Sequence, residues 1–314
     1  MNIVDHLTLD ALRECWGLKI ETLECVDKEE GRCCYKASSE RGLFFVKTQE
    51  DKEEFLEDLE RGVRVQVYLE KEGFPTNGVF PTTNGRLLQQ WHGYGIVVEP
   101  WLERQDFEKN SEHWRIFGQL VGRLHSLPVP DEVQSCISKM DPARNLRTVL
   151  EQVNDRRQLV PERYRAQLES FCELVKGLDE LLSVPRTLIH SDLAWSNVIR
   201  RADGCFMLVD FEGGGIGPPV VDLVEVTTYL CRGPGASGSL LEDAAKAFYK
   251  GYRAYRQLNA TEISAFGSAH TYHQLYYLAN SLGRKDFDFI RRMSARLDNW
   301  NGGILDQLIK IATD

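Results

Sequence analysis

Between residues 187 and 220 the sequence leaves the helical periodicity that governs most of the chain after residue 102. The helical stretches expected from that periodicity are Glu112–Leu127, Leu146–Leu159, Glu162–Leu182, Asp222–Leu230, Leu240–Leu258, Thr261–Leu282 and Phe287–Ile311. The island between them holds two short β-like runs, Thr187–His190 and Phe206–Val209, and the cluster Gly213-Gly214-Gly215-Ile216-Gly217. Its polar residues keep a definite spacing: His190, Asp192, Asn197 five later, Asp210 thirteen after that, then Glu212 and Asp222. Helical domains seldom host such an interruption without a chemical reason.

A carboxylate and a carboxamide at the ends of short strands supply hard oxygen ligands to Mg²⁺, which takes few protein ligands and completes its shell with phosphate oxygens. A further carboxylate five residues before the carboxamide can face an acceptor hydroxyl. Phosphoryl transfer needs these parts, one Asp for the hydroxyl and an Asn and an Asp for the metal, with little covalent work by the protein. Single Asp and Asn residues at strand ends are usually turn formers. Here four specific residues recur in order, each beside an apolar run, and they match the protein-kinase spacing H-R-D-x-x-x-x-N followed by D-F-G, with Ser191 for Arg and Glu212 for Gly.

The first hundred residues have a different texture. Short runs at Ile20–Val26, Cys33–Ala37, Leu43–Thr48, Arg86–Trp91 and Ile96–Val98 predict a small antiparallel sheet, the last two joined across His92-Gly93-Tyr94-Gly95. One helix, roughly Asp51–Glu72, lies between the third and fourth runs and is closed by Gly73 and Pro75. Leu56, Leu59, Val63 and Val67 form its expected apolar stripe, and Glu60 falls inside that stripe. The fold class is thus α+β: a sheet lobe over residues 1–98, a hinge at 99–102, and a helical lobe over 103–314. A length of 314 residues suits two lobes.

The island and its setting, from about residue 20 to 310, resemble the aminoglycoside phosphotransferase and choline kinase superfamily of small-molecule kinases, which has a two-lobed protein-kinase-like fold. The runs VYLEKEGFPTNGVFPTTNG and IVVEPWLE look closer to its branch of spore-coat kinase-like proteins and homoserine kinases. The resemblance implies a γ-phosphoryl transfer from Mg-ATP or Mg-GTP to a hydroxyl of an aminoglycoside or other antibiotic, an amino alcohol or homoserine. Carried over, Asp192 is the catalytic base, Asn197 and Asp210 are the metal ligands, His190 fixes the loop, and Asp222 is its buried brace. Lys47 becomes the lysine on the α- and β-phosphates, with Glu60, or Glu53 near the same face, as its ion partner. The backbone of Glu99 and Trp101 becomes the hinge that meets the base, since Pro100 has no donor. The first hairpin has one glycine, Gly31, and no G-x-G-x-x-G, which leaves Lys28 or Arg32 to reach the γ-phosphate. Glu212 would support the metal from behind its ligands.

Other groups have plainer readings. His270 and His273 lack a third ligand in sequence reach, His125 reads as a packed helix end, and Tyr272, Tyr276 and Tyr277 with Asn280 read as lobe packing. Related kinases line the acceptor pocket with helices in that region. The triple glycine reads as a flexible loop after the metal ligand.

Thirty-eight Lys and Arg against 47 Asp and Glu leave a net charge of −9, so general attraction to nucleic acid or anionic lipid is not expected. The eight cysteines show no CxxC pair and read as reduced thiols. The acidic start MNIVDHLTLDALRECW has no signal-peptide pattern, and the expected location is the cytoplasm. Two rival classes stay open: a metal-dependent hydrolase built on His190, Asp192, Asp210, Glu212 and Asp222, and a non-catalytic binding protein that keeps the kinase fold.

Overall fold

The computed structural model describes residues 3–29, 31–105, 107–233 and 238–314. The chain divides into two compact units, one of Met1–Asp106 with Ile199–Gly213, the other of Phe107–Val198 with Gly214–Asp314. The antiparallel sheet belongs to the first and most of the helices to the second.

In the sheet unit, helix α1 (Ile3–Trp16) precedes strands β1 (Ile20–Glu29), β2 (Arg32–Ser39) and β3 (Gly42–Glu50). Helix α2 (Glu53–Lys71) follows, then β4 (Gln89–Trp91) and β5 (Tyr94–Pro100), in the sheet order β1-β2-β3-β5-β4. Successive side chains point to opposite faces of a strand. On one face Phe44, Val46, Ile96 and Val98 pack with Leu12 and Trp16 of α1. On the other, Val97 packs with Leu59 and Val63 of α2. Lys47 stands opposite Val97 in the register, and Glu99 two residues further along β5, so alternation places a lysine and a glutamate on the α2 face.

Several expectations shift. The N-terminal helix α1 was not among the predicted elements, although its buried Thr8, Ala11, Leu12 and Trp16 recur at helical spacing. The fourth strand begins at Gln89 rather than Arg86, because Arg86 closes a turn with Thr82, whose N–H donates to Arg86 O at 2.7 Å. The hairpin turn is the two residues His92 and Gly93, both with positive φ. On α2 the buried positions are Leu59, Arg61, Gly62, Val63, Val65, Gln66, Tyr68 and Leu69, and Val67 is exposed. The buried face is therefore turned away from Glu60, which is exposed.

In the helical unit, α3 (Ser111–Ser126) packs against helix Glu242–Arg253 with almost no spacing. A Cβ on Gly118 would lie 1.9 Å from Phe248 O, and one on Gly251 1.9 Å from Arg115 O, so glycine permits this approach. Helix Phe266–Gly283 packs with helices Pro142–Arg156 and Val220–Glu225. Several predicted helices are interrupted, among them the following. The stretch from Glu162 changes to a 3₁₀ helix over Val175–Ser183, that from Thr261 breaks at Ala265, and that from Phe287 widens into a π turn at Trp300–Ile304. The glycine cluster, expected to be flexible, supplies strand Gly215–Gly217, buried and paired with Thr187–Ile189. No helix among the described residues is long and apolar enough to cross a membrane.

Candidate active site

In the sheet unit, the turn after strand Phe206–Leu208 is held beneath α2. Leu208 N–H donates to Pro75 O at 3.0 Å, Arg61 Nη2 donates to Glu212 O at 2.6 Å, and a Cβ on Gly62 would lie 3.0 Å from Glu212 Cα. Asp210 adopts φ 68°, a left-handed conformation uncommon outside glycine. This turn brings Asp210 Oδ1 and Glu212 Oε1 each to 3.0 Å from Lys47 Nζ. Glu99 Oε1 stands 3.8 Å from the same ammonium.

Lys47 is only 4% exposed. Burial opposes its charge, yet Asp210, Glu212 and Glu99 outweigh burial and hold its pKa well above the usual lysine value. For Glu99 the balance reverses: burial pushes its pKa up, Lys47 opposes this, and the like charges of Asp210 and Glu212 add to the rise. The two directions are consistent because Lys47 is shared by three acids and Glu99 is the farthest. Glu99 is also bound by neutral groups, accepting from Asn77 Nδ2 at 2.6 Å and Gln66 Nε2 at 3.2 Å.

Arg32, at the start of β2, approaches the same acids, with 3.6 Å to Asp210 Oδ2 and 3.6 Å to Glu212 Oε2. Lys28 lies exposed on β1. Glu60, expected beside Lys47, is on the exposed side of α2, and the acids around the ammonium are Asp210, Glu212 and Glu99. Trp101 donates its N–H to Leu43 O at 3.0 Å, so that donor is already engaged in the sheet.

In the helical unit, the loop after Thr187–Ile189 is built around Asp222. Its Oδ2 accepts from His190 N–H at 2.7 Å and its Oδ1 from Ser191 N–H at 2.8 Å, while His125 Nε2 lies 3.0 Å from Oδ2. These bonds hold Ser191 at φ 67° and complete a fully buried brace. The loop then presents Asp192, and Asn197 Nδ2 donates to Asp192 O at 2.8 Å and to Asp192 Oδ2 at 3.0 Å. Glu225 Oε2 fixes the next residue by accepting from Leu193 N–H at 3.0 Å. Burial raises the Asp192 pKa, and the Glu225 charge raises it further, against His190, Lys139 and Asn197. Asp192 and Glu225 border a cavity of about 390 Å³ with Tyr229, Tyr277, Phe289 and Arg296.

Each unit by itself carries an oxygen donor of the hard kind that a divalent cation takes. With its amide nitrogen bound to Asp192, Asn197 is oriented with its oxygen free of any carboxylate, accepting only from Ser196 Oγ at 3.2 Å. Asp210 offers a carboxylate that is 27% exposed. Among the described residues no group of three His, Cys, Asp or Glu could hold a metal, and Asp222 is spent on the loop.

Sequence reasoning missed Glu99 as the buried acid, His125 as part of the brace, and Glu225 as the acid beside Asp192. The available signals were a lone acid within the apolar run Ile96–Val98 and a second acid three residues after Asp222. His270 stacks on Trp300 at 3.9 Å and lies buried.

A family model described as the phosphotransferase enzyme family matches residues 34–258. No curated protein sequence matches the chain. Among solved structures, a microcompartment-associated aminopropanol kinase is 14% identical with TM-score 0.73, over 98% of this chain and 99% of that one. Amicoumacin kinase in complex with AMP-PNP, Ca²⁺ and Ami is 14% identical with TM-score 0.67, over 98% and 94%. An ethanolamine kinase of Plasmodium vivax is 12% identical with TM-score 0.63, over 96% and 85%. These likenesses carry the kinase-like fold expected from the sequence.

Proposed function

Because the chain belongs to the phosphotransferase enzyme family, we propose that it transfers the γ-phosphoryl group of Mg-ATP or Mg-GTP to a hydroxyl of a small molecule. The observation that carries this reading is the Lys47 to Asp210 contact at 3.0 Å, which joins residues 163 apart in sequence. A buried ammonium held by a carboxylate in a strained turn is a phosphate-binding cation beside a metal-binding anion. Lys47 binds the α- and β-phosphates, Arg32 is placed to reach the γ-phosphate from β2, and the base lies along the Glu99–Trp101 backbone. Asn197 and Asp210 would hold the metal, which would supply positive charge against the phosphates. Asp192 orients the acceptor hydroxyl and takes its proton; its raised pKa makes it a stronger base than an ordinary Asp.

The solved neighbours include kinases of aminopropanol, ethanolamine and amicoumacin, which supports a small hydroxyl-bearing acceptor. The test is ADP release by the full chain with Mg²⁺, ATP or GTP, and a panel of amino alcohols, hydroxy amino acids and aminoglycosides. Acceptor-dependent release is expected. No release with any acceptor, and no thermal shift with either nucleotide, defeats the proposal.

A further inference from the structure

The cavity beside Asp192 has a charge pattern that the phosphotransferase reading does not by itself require. Two of its walls are acidic, Asp192 and Glu225, and neither lies within ion-pair distance of a Lys or Arg among the described residues. Glu225 is instead approached by Tyr277 Oη at 3.4 Å and His273 Nε2 at 3.9 Å. The buried His273 has no hydrogen-bond partner on either ring nitrogen, and among the described residues no Lys or Arg pairs with Glu225.

The same lining also carries cationic side chains. Arg292 and Arg296 sit one turn apart on helix Asp288–Asn299, and both line the cavity. Arg292 is paired, with Nη2 2.5 Å from Asp286 Oδ2. Arg296 meets aromatic groups: Tyr229 Oη at 3.4 Å, the Tyr229 ring at 5.1 Å and the Phe289 ring at 5.7 Å. Among the described residues no carboxylate pairs with it. The neighbouring buried Arg232 is disfavoured as a cation by burial and then by Arg296, so an anion arriving here relieves repulsion.

Tyr229 lines the cavity in contact with Arg296. It lies four residues after Glu225, in the π turn Val226–Leu230 that continues helix Val220–Glu225, and such widened turns often mark functional sites. A compound bearing only ammonium groups satisfies Glu225 but sets like charge against Arg296. A compound bearing both an ammonium and a carboxylate satisfies both groups. A volume of about 390 Å³ is near the small end of ligand pockets, which suits a metabolite of amino-acid size.

Resting on the phosphotransferase reading, we propose that the acceptor is a small hydroxylated amino acid, with its hydroxyl at Asp192, its ammonium at Glu225 and its carboxylate at Arg296. The alkoxide oxygen forms the new P–O bond as the bond from the γ-phosphorus to the bridging oxygen breaks. The hydroxyl proton passes to Asp192, and the electron pair leaves with the nucleoside diphosphate.

The experiment compares matched acceptors with the full chain and Mg-ATP: homoserine against 3-amino-1-propanol, serine against ethanolamine, and homoserine methyl ester and kanamycin as carboxylate-free compounds. The carboxylate-bearing member of a pair is expected to have kcat/KM roughly 10- to 100-fold above its counterpart. Arg296→Gln is expected to raise its KM by a similar factor with kcat little changed, and Arg296→Lys to recover part of the loss. Preference for the carboxylate-free compounds, transfer to none of the hydroxy amino acids, or an unchanged KM in Arg296→Gln overturns the carboxylate assignment. If Mg-ATP still raises the melting temperature in those cases, the phosphotransferase reading stands. Absence of both the Mg-ATP shift and all transfer removes that reading and the acceptor assignment with it.

Discussion

The carboxamide of Asn197 donates to Oδ2 of Asp192 at 3.0 Å, so the residue proposed to hold metal also holds the proposed base in place. The five-residue spacing closes this bond on itself, because the same amide nitrogen donates to the Asp192 carbonyl at 2.8 Å. Asp192 and Asn197 are therefore positioned as a unit.

Replacing Asp192 by Asn keeps size and hydrogen bonding and removes the base, so turnover is expected to fall about 10²- to 10⁴-fold. Nucleotide binding, read as a thermal shift, is expected to persist. A carboxyl whose pKa is higher folded than unfolded costs stability once pH passes the unfolded value of about 3.9, with the full cost above the folded value. Asp192→Asn should therefore melt higher than wild type at neutral pH, with the gain vanishing in acid. Glu225→Gln, which removes the like charge, should move the acidic limb of the rate profile to lower pH. Near-wild-type transfer by Asp192→Asn would falsify its role.

Lys47→Met removes the cation shared by three acids and leaves Glu99 buried and 2% exposed. Stability is expected to drop by about 3 kcal/mol, the cost of an uncompensated buried charge. The double variant Lys47→Met with Glu99→Gln should regain most of it in denaturant titrations, while remaining inactive. Asp210→Asn should differ from Asp192→Asn by losing both turnover and the Mg-ATP thermal shift, because the metal ligand itself is weakened. A full Mg-ATP shift in Asp210→Asn would remove that residue from the metal site.

Burial lowers the pKa of His125, against the opposing pull of Asp222. As pH falls below about 6.5 the unfolded chain takes up a proton that the folded His125 refuses, so stability declines toward acid. His125→Gln should flatten this part of the stability profile. It should also cost about 1–3 kcal/mol at pH 7.5, because a bond in the buried brace is lost. An unchanged slope between pH 7 and 5 assigns the acid sensitivity elsewhere.

Gly118→Ala forces a methyl group to within 1.9 Å of Phe248 O and should destabilise the helical unit by about 1–3 kcal/mol or more. Gly267→Ala is the control: its Cβ meets only Leu305 Cδ2 at 3.5 Å, so it should be neutral or gain up to about 1 kcal/mol. Equal melting temperatures for the two variants would count against the close helix pairing.

The sequence alone determined the order and type of the chemical groups. The spacing from His190 through Asp192 to Asn197 spans one loop, and local geometry suffices to close the Asn197 to Asp192 bond. Strand alternation likewise determined that Lys47 leaves a buried strand, because a period of two fixes the side-chain face wherever the pairing lies. Only the tertiary structure decided which acids meet Lys47. On α2 the sequence pattern favours the face of Leu56, Val63 and Val67, and with it Glu60. The folded chain keeps Leu59 and Val63 buried but adds Gly62, Arg61 and Gln66 in place of Val67, since the turn of Asp210 and Glu212 packs on a flat, hydrogen-bonding surface there. Polar and small residues carry no hydropathy signal, so a face built from them is invisible until its partner is present. The same holds for Arg296 and Glu225: each is an ordinary helical charge in sequence, and only packing around Tyr229 sets them in the lining of one cavity.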